Sequence, residues 1–270
     1  MSVFLIAEAG SCHDSNLNQA FALVETAKQC GADAVKFQTF NAKTLAERRN
    51  APDYLPIYQQ YEMPLEWLPC LYKKCEDVGI ELMTTIYHQD YLEIVMPFIK
   101  RAKISSFEAA DHAFINAHRQ YGKPLIISTG MATEKEISKI PLKADDTLLL
   151  CTSSYPAPLD QINLNVLRSW GEHGGWHGLH INQAIGLSDH SLSMLTGAVA
   201  VGAGATVLEK HFRLIATSPQ NPDYKVSLDP YSFAEYVRRV REAEVMMGSG
   251  IKEPQACEAE MQKYRVRSKN

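Results

Sequence analysis

The sequence predicts a single α/β domain, a (β/α)8 or TIM barrel, on three observations. Eight short apolar segments alternate with segments of helical periodicity along the 270 residues, as in folds built on a parallel sheet. Eight such units within about 250 residues have the size and rhythm of a closed barrel. No GxGxxG turn follows the first apolar segment, which disfavours the alternative of a doubly wound open sheet.

Each predicted strand is a short run rich in Val, Ile, Leu and Ala, as expected of strands covered on both faces. The predicted strands are 3–9, 34–40, 81–87, 102–106, 124–130, 147–153, 184–190 and 206–212. The predicted helices lie near 17–30, 65–78, 91–99, 114–121, 134–140, 164–170, 193–201 and 232–247. Gly31, Gly79 and Gly122 follow three of these helices, where a left-handed residue turns the chain back towards the next strand. The barrel is assigned to 1–250, and 251–270 is assigned to a C-terminal tail.

The composition excludes several classes of function. The chain has 27 Lys and Arg residues against 31 Asp and Glu, so it offers no basic surface for nucleic acid and no polybasic membrane anchor. No apolar run reaches membrane-spanning length, and the first residues lack the charged leader of a secretory signal. Six cysteines without CxxC pairs suit reduced thiols. We therefore expect a cytoplasmic protein whose partners are small molecules or other subunits, with no nucleic acid and no membrane.

Two neighbouring strands carry a histidine at their carboxyl ends, His190 after GLSD and His211 after LEK. A right-handed crossover through the helix between them makes the strands parallel, so both imidazoles lie at the same edge of the sheet. For either residue alone, a hydrogen-bonded core histidine is the more common role. Their shared position favours a divalent metal site, because neutral imidazole is a frequent ligand of such metals.

The other strand ends are also polar, and the loops after the strands carry the chemistry of a barrel. The candidate residues there are Glu8, Lys36, Gln38, Lys103, Ser106, Glu108, Ser128, Ser153, Tyr155 and Ser188. A lysine within an apolar strand is costly to bury without a partner, so Lys36 and Lys103 are expected to face an anion. Two ammonium groups among several hydroxyls indicate a phosphate or carboxylate site.

These parts together suggest one class of reaction. A metal on His190 and His211 can polarise a carbonyl group, while Glu8 and Glu108 can move protons or hold hydroxyls. We infer the addition of a phosphorylated carbon nucleophile to a metal-activated carbonyl. A metal-dependent aldolase or a sugar isomerase would use similar residues, so both remain open at this point.

Short blocks distributed along the whole chain make it similar to a known family. The blocks are IAEAG at 6–10, DAVKFQT at 33–39, KISS at 103–106, GKP at 122–124, ISTGM at 127–131, CTSSYP at 151–156, GLSDH at 186–190, EKHF at 209–212, DYKVSL at 223–228 and GSGIK at 248–252. With them, the chain resembles the sialic acid (N-acetylneuraminate) synthase family. The resemblance implies a transferase that condenses phosphoenolpyruvate with an N-acetylated amino sugar, either N-acetylmannosamine-like or a dideoxy-diacetamido hexose. The products would be a nine-carbon 2-keto-3-deoxy sugar acid and phosphate.

The resemblance also implies roles for individual residues. Those that would hold phosphoenolpyruvate are Lys36, Lys103, Ser106, Ser128, Ser153 and Ser188. Glu8 would lie against the reacting carbons, and His190 and His211 would bind Mn²⁺ or Mg²⁺. The residues that would face the acceptor sugar are Gln38, Glu108, Tyr155 and Asp223. Catalysis would fall to Glu8, Lys36, Lys103 and His190.

The resemblance concerns the barrel domain. Family members usually continue into a small antifreeze-like domain, and 251–270 lies about where the linker to it would begin. The oligomer is therefore open, and either a homodimer or a separate capping subunit is expected to complete the site. Residues 12–15, Cys-His-Asp-Ser, replace the family's Asn-His-Asn-Gly, and Ser153 stands where asparagine is common. These changes suggest a different acceptor sugar, because every charged residue of the anion and metal sites remains.

Two other functions stay open. An octulosonate- or heptulosonate-type synthase would take a phosphorylated acceptor and would need further cationic groups. A non-catalytic sugar-acid-binding barrel or subunit would bind phosphoenolpyruvate without turnover. Outside the site, His173, His177 and His180 lie in a glycine-rich stretch that is expected to be a solvated loop rather than a second metal site. The tyrosine-rich stretch 54–61 is expected to form a lid or a subunit contact.

Overall fold

The computed structural model of the chain describes residues 2–171 and 183–266. Within them, eight parallel strands close into a barrel in chain order, which confirms the predicted fold. The strands are β1 Phe4–Gly10, β2 Ala34–Thr39, β3 Glu81–Ile86, β4 Ala102–Ile104, β5 Leu125–Ser128, β6 Thr147–Cys151, β7 Ala184–Asp189 and β8 Val207–His211. β1 pairs with both β2 and β8, and the second pairing closes the barrel.

Apolar side chains fill the barrel interior below the carboxyl ends of the strands. This layer consists of Ile6, Ala34, Met83, Ile126, Leu149 and Val207. Because side chains alternate between the two faces of a strand, the residue two positions further along each strand also points inward. Those positions hold Glu8, Lys36, Thr85, Ser128, Cys151 and Glu209. The alternation therefore places a polar layer directly above the apolar one.

The helices pack their apolar faces against the outside of the barrel and against one another. Those in the described residues are α1 Leu17–Gln29, α2 Ala42–Arg48, α3 Leu55–Tyr61, α4 Leu68–Val78, α5 Leu92–Val95, α6 His112–Arg119, α7 Glu134–Ile137, α8 Asn165–Gly171, α9 Thr196–Gly202 and α10 Pro230–Met247. None of the helices in this part of the chain combines the length and the apolar composition needed to cross a membrane. In the assigned tail, residues 251–266 are exposed and contain two short 3₁₀ helices.

The connection from β2 to β3 is more structured than the sequence predicts. The pattern indicates one helix near 65–78, whereas the structure adds α2 and α3 before it. Asn41 begins α2, because its side chain accepts a hydrogen bond from the backbone N–H of Thr44. Pro52, Pro56 and Pro64 divide this segment into pieces too short to show a helical period. The additional helices form one wall of the cavity described below.

A buried ion pair on the outer side of the barrel wall ties β7 to β8. Lys210 Nζ lies 2.8 Å from Asp189 Oδ2, and neither side chain has appreciable contact with solvent. The Thr196 hydroxyl at the start of α9 also donates to Asp189. Leaving one member of such a pair unpaired costs about 3–5 kcal/mol, so the network strongly fixes the two strands relative to each other. His190 and His211 directly follow these two residues and are thus carried on a rigid part of the barrel.

Candidate active site

A cavity of about 500 Å³ opens at the carboxyl ends of the strands. It brings together all but two of the residues that the sequence singles out. Those that line it are Glu8, Lys36, Gln38, Lys103, Ser106, Ser128, Tyr155, Ser188, His190, His211 and Asp223. Residues from several strands and loops converge here, which is the usual place and construction of an active site in this fold.

The two remaining candidates, Glu108 and Ser153, stand just behind the cavity wall. Glu108 is buried and accepts a hydrogen bond from the hydroxyl of Ser105, which does line the cavity. Ser153 lies against Gly130, where an added Cβ would be only 2.2 Å from the serine Oγ. The backbone N–H of Gly130 donates to Ser106 Oγ at 3.0 Å. Glycine at this position therefore lets the loops after β4, β5 and β6 meet.

The two candidate lysines are buried and already contact carboxylates of the chain. Lys36 Nζ lies 2.7 Å from Glu8 Oε2 and 3.6 Å from Glu209 Oε2, and it donates to Thr85 Oγ1 at 3.0 Å. Lys103 Nζ donates to Ser128 Oγ at 2.8 Å and lies 3.7 Å from Glu209 Oε1. Both lysines thus have carboxylate partners within the chain, whereas the sequence predicts only an external anion for them. Glu209 could have been found, because it is two residues before His211 and therefore on the same inward face.

The balance of charge between the two lysines and the two carboxylates depends on pH. Although burial raises the pKa of Glu209, the two ammonium groups of Lys103 and Lys36 outweigh it and hold that pKa at about 2. Burial raises the pKa of Glu8 to about 7, because lost hydration and the nearby Glu209 carboxylate outweigh the attraction of Lys36. Below this pH, Glu8 is mostly protonated and two lysines face one ionised carboxylate. Below about pH 7 the layer therefore carries an excess of positive charge that suits an anionic ligand, and above it the two carboxylates balance the two lysines.

The two histidines lie side by side, with ring centroids 5.4 Å apart. His190 Nδ1 is 2.9 Å from the carbonyl oxygen of Thr152, so that nitrogen donates and Nε2 is the one left to bind a cation. Although burial lowers the pKa of His190, its contacts with Cys151 and Thr152 outweigh burial and raise that pKa. Burial lowers the pKa of His211 to about 4, and its ring is therefore neutral near pH 7. Its buried Nδ1 has no hydrogen-bond partner among the described residues. The neutral ring of His211, with a free lone pair beside His190, is the kind of ligand that a divalent cation requires.

His190 and His211 would give a metal ion only a small number of protein ligands. Within residues 2–171 and 183–266, no group of three or more His, Cys, Asp or Glu side chains is placed to hold a metal. A cation on His190 and His211 would thus take its other ligands from water or from a bound substrate. Such an open coordination sphere is typical of catalytic rather than structural metal sites.

Beside the histidines, three polar candidates surround the open part of the cavity. The ring of Tyr155 packs on that of His190 at a centroid distance of 4.3 Å. Gln38 Nε2 donates to Glu8 Oε1 at 3.0 Å, which links Gln38 to the lysine layer. Asp223 Oδ2 accepts hydrogen bonds from both the backbone N–H and the hydroxyl of Ser11 at 2.7 Å. The neighbouring glycine 10 has φ +51°, and a Cβ there would lie 2.3 Å from the same carboxylate oxygen.

The wall formed by α2 and α3 is the part of the site that the sequence did not predict. It contributes Leu45, Arg49, Tyr54, Ile57 and Tyr58 to the lining. The expectation of a lid at 54–61 fits this position, since all three tyrosines of that stretch line the cavity. No sequence pattern distinguished Arg49, because the helix that carries it was not expected. The three histidines at 173, 177 and 180 lie outside the described residues.

The sequence matches the NeuB family over residues 23–252. It is 35% identical to the N,N'-diacetyllegionaminic acid synthase of Legionella pneumophila over an alignment that covers 94% of this chain and 76% of that protein. It is 34% identical to a pseudaminic acid synthase of Campylobacter jejuni, with 92% and 76% covered. It is also 31% identical to human N-acetylneuraminate-9-phosphate synthase, with 94% and 74% covered.

Solved structures agree with these matches. The fold superposes on the crystal structure of N-acetylneuraminic acid synthetase from Leptospira borgpetersenii in complex with citrate with a TM-score of 0.86. That alignment has 28% sequence identity and covers 98% of this chain and 92% of the other. A truncated 3-deoxy-D-arabino-heptulosonate 7-phosphate synthase from Thermotoga maritima has a TM-score of 0.67 at 14% identity, with 92% and 88% covered. The second likeness concerns the fold alone.

Proposed function

Because the chain belongs to the NeuB family, we propose that it is a transferase that condenses phosphoenolpyruvate with an N-acylated amino sugar. The products are a nine-carbon 2-keto-3-deoxy sugar acid and phosphate. The observation that carries the proposal is the cavity itself, in which two buried lysines with neighbouring hydroxyls adjoin a pair of histidines. An anionic nucleophile and a carbonyl acceptor thus have complementary places within a single cavity.

Phosphoenolpyruvate binds over the lysine layer. Lys36 and Lys103 neutralise its phosphate and carboxylate, and the hydroxyl of Ser128 donates to a remaining oxygen. Ser188 lines the same part of the cavity, and its hydroxyl donates to Glu209 Oε1 at 3.0 Å and so orients that carboxylate. Ser106 would add a hydroxyl on the side of the loops, and Ser153 lies behind it, against Gly130. Fixing the nucleophile against a bound acceptor supplies the proximity that a two-substrate reaction needs.

The acceptor sugar lies between the histidines and the wall formed by α2 and α3, where Gln38, Tyr155 and Asp223 contact it and Glu108 acts from behind the wall. A divalent cation, Mn²⁺ or Mg²⁺, would be held by His190 and His211 and would supply Lewis-acid polarisation of the sugar aldehyde. C3 of phosphoenolpyruvate forms a bond to the aldehyde carbon. Water then adds at C2, and phosphate leaves with the bridging oxygen.

Glu8 stabilises the positive charge that develops at C2 during this sequence. Its carboxyl group lies in the lysine layer, next to Lys36, where the reacting carbons are placed. Only the ionised form can oppose a developing positive charge, and a fixed carboxylate in a cavity shielded from water does so effectively. The protonation state of Glu8 should therefore control the rate near neutral pH.

We expect kcat/KM to rise with pH up to about 7, the pKa of Glu8, and to level off above it. The sign follows from the raised pKa, because Glu8 keeps its proton until about pH 7 and is inactive in that form. Below this pH, the rate should fall roughly tenfold per unit, as for one essential ionisation. Glu8→Gln is the control, and its residual activity should lack this limb. An unchanged apparent pKa in the variant would assign the limb to another group.

We also propose that the protein acts in the cytoplasm and that a second copy or a capping subunit covers the mouth of the barrel. The six cysteines form no disulfide within the part of the chain that is described, which supports a reducing compartment. Several large apolar side chains in the loops after β4 to β8 are exposed: Phe107, Met131, Leu159, Leu192, Leu195 and Ile215. Exposed apolar surface of this kind supports a contact with another chain.

The function is tested by phosphate release from phosphoenolpyruvate with Mn²⁺ and a panel of N-acetylated hexosamines and dideoxy-diacetamido hexoses. We expect release with at least one sugar, together with a product whose mass is the sum of the condensed parts. Binding of phosphoenolpyruvate without release for any sugar would point to a non-catalytic barrel. Release that depends on a second polypeptide would identify a catalytic subunit that needs its cap.

A further inference from the structure

Arg49 is a cavity residue to which the reaction described so far gives no role. It follows the last residue of α2 and lines the cavity. Its guanidinium carbon lies 4.2 Å from the centroid of the Phe107 ring and 5.0 Å from that of Tyr87. The two aromatic contacts hold the group in place, since a guanidinium is attracted to aromatic faces.

Arg49 has a side-chain hydrogen bond with Tyr58, but this does not use up its hydrogen-bonding capacity. Its Nη2 is 3.8 Å from Glu108 Oε1, which is an ion-pair distance and too long for a hydrogen bond. Its Nε is buried and has no hydrogen-bond partner within the described residues. A guanidinium has five N–H donors, and a buried donor without a partner is costly. A ligand oxygen in the cavity would supply the missing acceptor.

The surroundings favour a neutral oxygen over a phosphate group. Glu108 already offsets much of the charge on Arg49, and a phosphate dianion placed here would also face that carboxylate. The neighbouring lining is largely apolar or aromatic: Phe40, Leu45, Ile57, Tyr58 and Tyr87. The lysines that line the cavity are Lys36 and Lys103, and they contact Glu8 and Glu209 instead. A carbonyl group with a small alkyl substituent fits this place, because its oxygen can accept from Arg49 and its alkyl group can contact the apolar lining.

We propose that Arg49 binds the carbonyl oxygen of an N-acyl group on the acceptor sugar and thereby selects N-acylated sugars. The apolar wall beside it receives the methyl group of the same acyl substituent. This inference rests on the proposed function, since it concerns the acceptor of that reaction. Arg49 touches the substrate but no reacting atom, so it should govern the KM for the acceptor more than kcat.

The test compares R49M with R48M on acceptors with and without the acyl group. Arg48 is the matched control, because it precedes Arg49 on the same helix but lies 2.6 Å from Asp111 and stacks on Phe114. For R49M we expect the acceptor KM to rise by roughly 10- to 100-fold, the scale of a hydrogen bond to a charged group. The KM for phosphoenolpyruvate should stay unchanged, which also shows that the variant folds. R49K should recover part of the loss, because it keeps one charged donor.

The decisive readout is discrimination between an N-acetylated hexosamine and the same sugar with a hydroxyl in place of the acetamido group. The wild type and R48M should prefer the acetamido sugar strongly, and R49M should lose most of this preference. If R49M keeps the full preference, the inference is wrong even though the wild type turns over. If R49M instead loses a preference for a phosphorylated sugar, Arg49 binds phosphate and the proposal is overturned. A wild type without turnover on any sugar, either alone or with a second polypeptide, contradicts the proposed function itself.

Discussion

Replacing His211 with alanine is expected to abolish metal-dependent turnover, with a loss of metal affinity above about a hundredfold. Removing a residue that merely orients a ligand already costs 10- to 100-fold, and loss of a ligand should cost more. His190 would be left as a single histidine ligand, and among the described residues no cluster of further donors is placed to compensate. The ring of His211 makes no hydrogen bond through Nδ1 in the described chain, so the fold loses only packing when it is removed.

The measurement is Mn²⁺ binding by calorimetry, alongside the rate at saturating substrates. His118→Ala is the matched control, because His118 is also a buried neutral histidine but hydrogen bonds to the carbonyl of Phe114 on an outer helix. That variant should lose stability and keep its metal affinity. Equal Mn²⁺ affinity in His211→Ala and in the wild type would exclude this pair as the metal site.

Replacing either Lys36 or Lys103 with methionine is expected to weaken phosphoenolpyruvate binding by about 2–5 kcal/mol, the cost of truncating one partner of a buried charge pair. The loss has two parts, since the anion loses a cation and a carboxylate of the chain loses its counter-charge. Lys103 should show the larger effect. Its ammonium lies 3.7 Å from its nearest carboxylate, whereas that of Lys36 lies 2.7 Å from Glu8. The charge of Lys103 is therefore offset less by the chain itself.

Calorimetric titration with phosphoenolpyruvate measures both variants directly. Lys74→Met serves as the control, because Lys74 pairs with Glu25 on the outer surface. It should bind phosphoenolpyruvate like the wild type. Unchanged affinity in both Lys36→Met and Lys103→Met would refute the assignment of the lysine layer to the anion.

The barrel and most of its cavity could be predicted because they depend on short-range patterns. Eight apolar strands with helices between them are compatible with few folds other than a closed barrel. Because side chains alternate along a strand, Glu8 and Lys36 point into the same layer of the interior. The structure confirms the barrel and places these side chains together. That part of the site is encoded by strand position alone.

The remaining parts depend on contacts between segments distant in sequence. Arg48 and Arg49 are adjacent and identical in type, yet one faces Asp111 and the other faces the cavity. The two side chains differ only in the direction in which they leave the end of a short helix. The prolines that follow keep that helix too short for its orientation to be predicted from sequence. The sequence indicates that Glu209 points inward, but its pairing with both lysines could not be predicted, because the pairing requires three strands to be placed around one centre.

The central claim is that phosphate leaves phosphoenolpyruvate by cleavage of the C–O bond after a new carbon–carbon bond has formed. The most direct measurement is the reaction in water enriched in ¹⁸O, with mass analysis of both products. We expect a nine-carbon sugar acid that carries the label at C2, together with inorganic phosphate that carries none. Label in the phosphate would mean attack of water on phosphorus, and with no sugar acid formed the protein would be a hydrolase rather than a synthase.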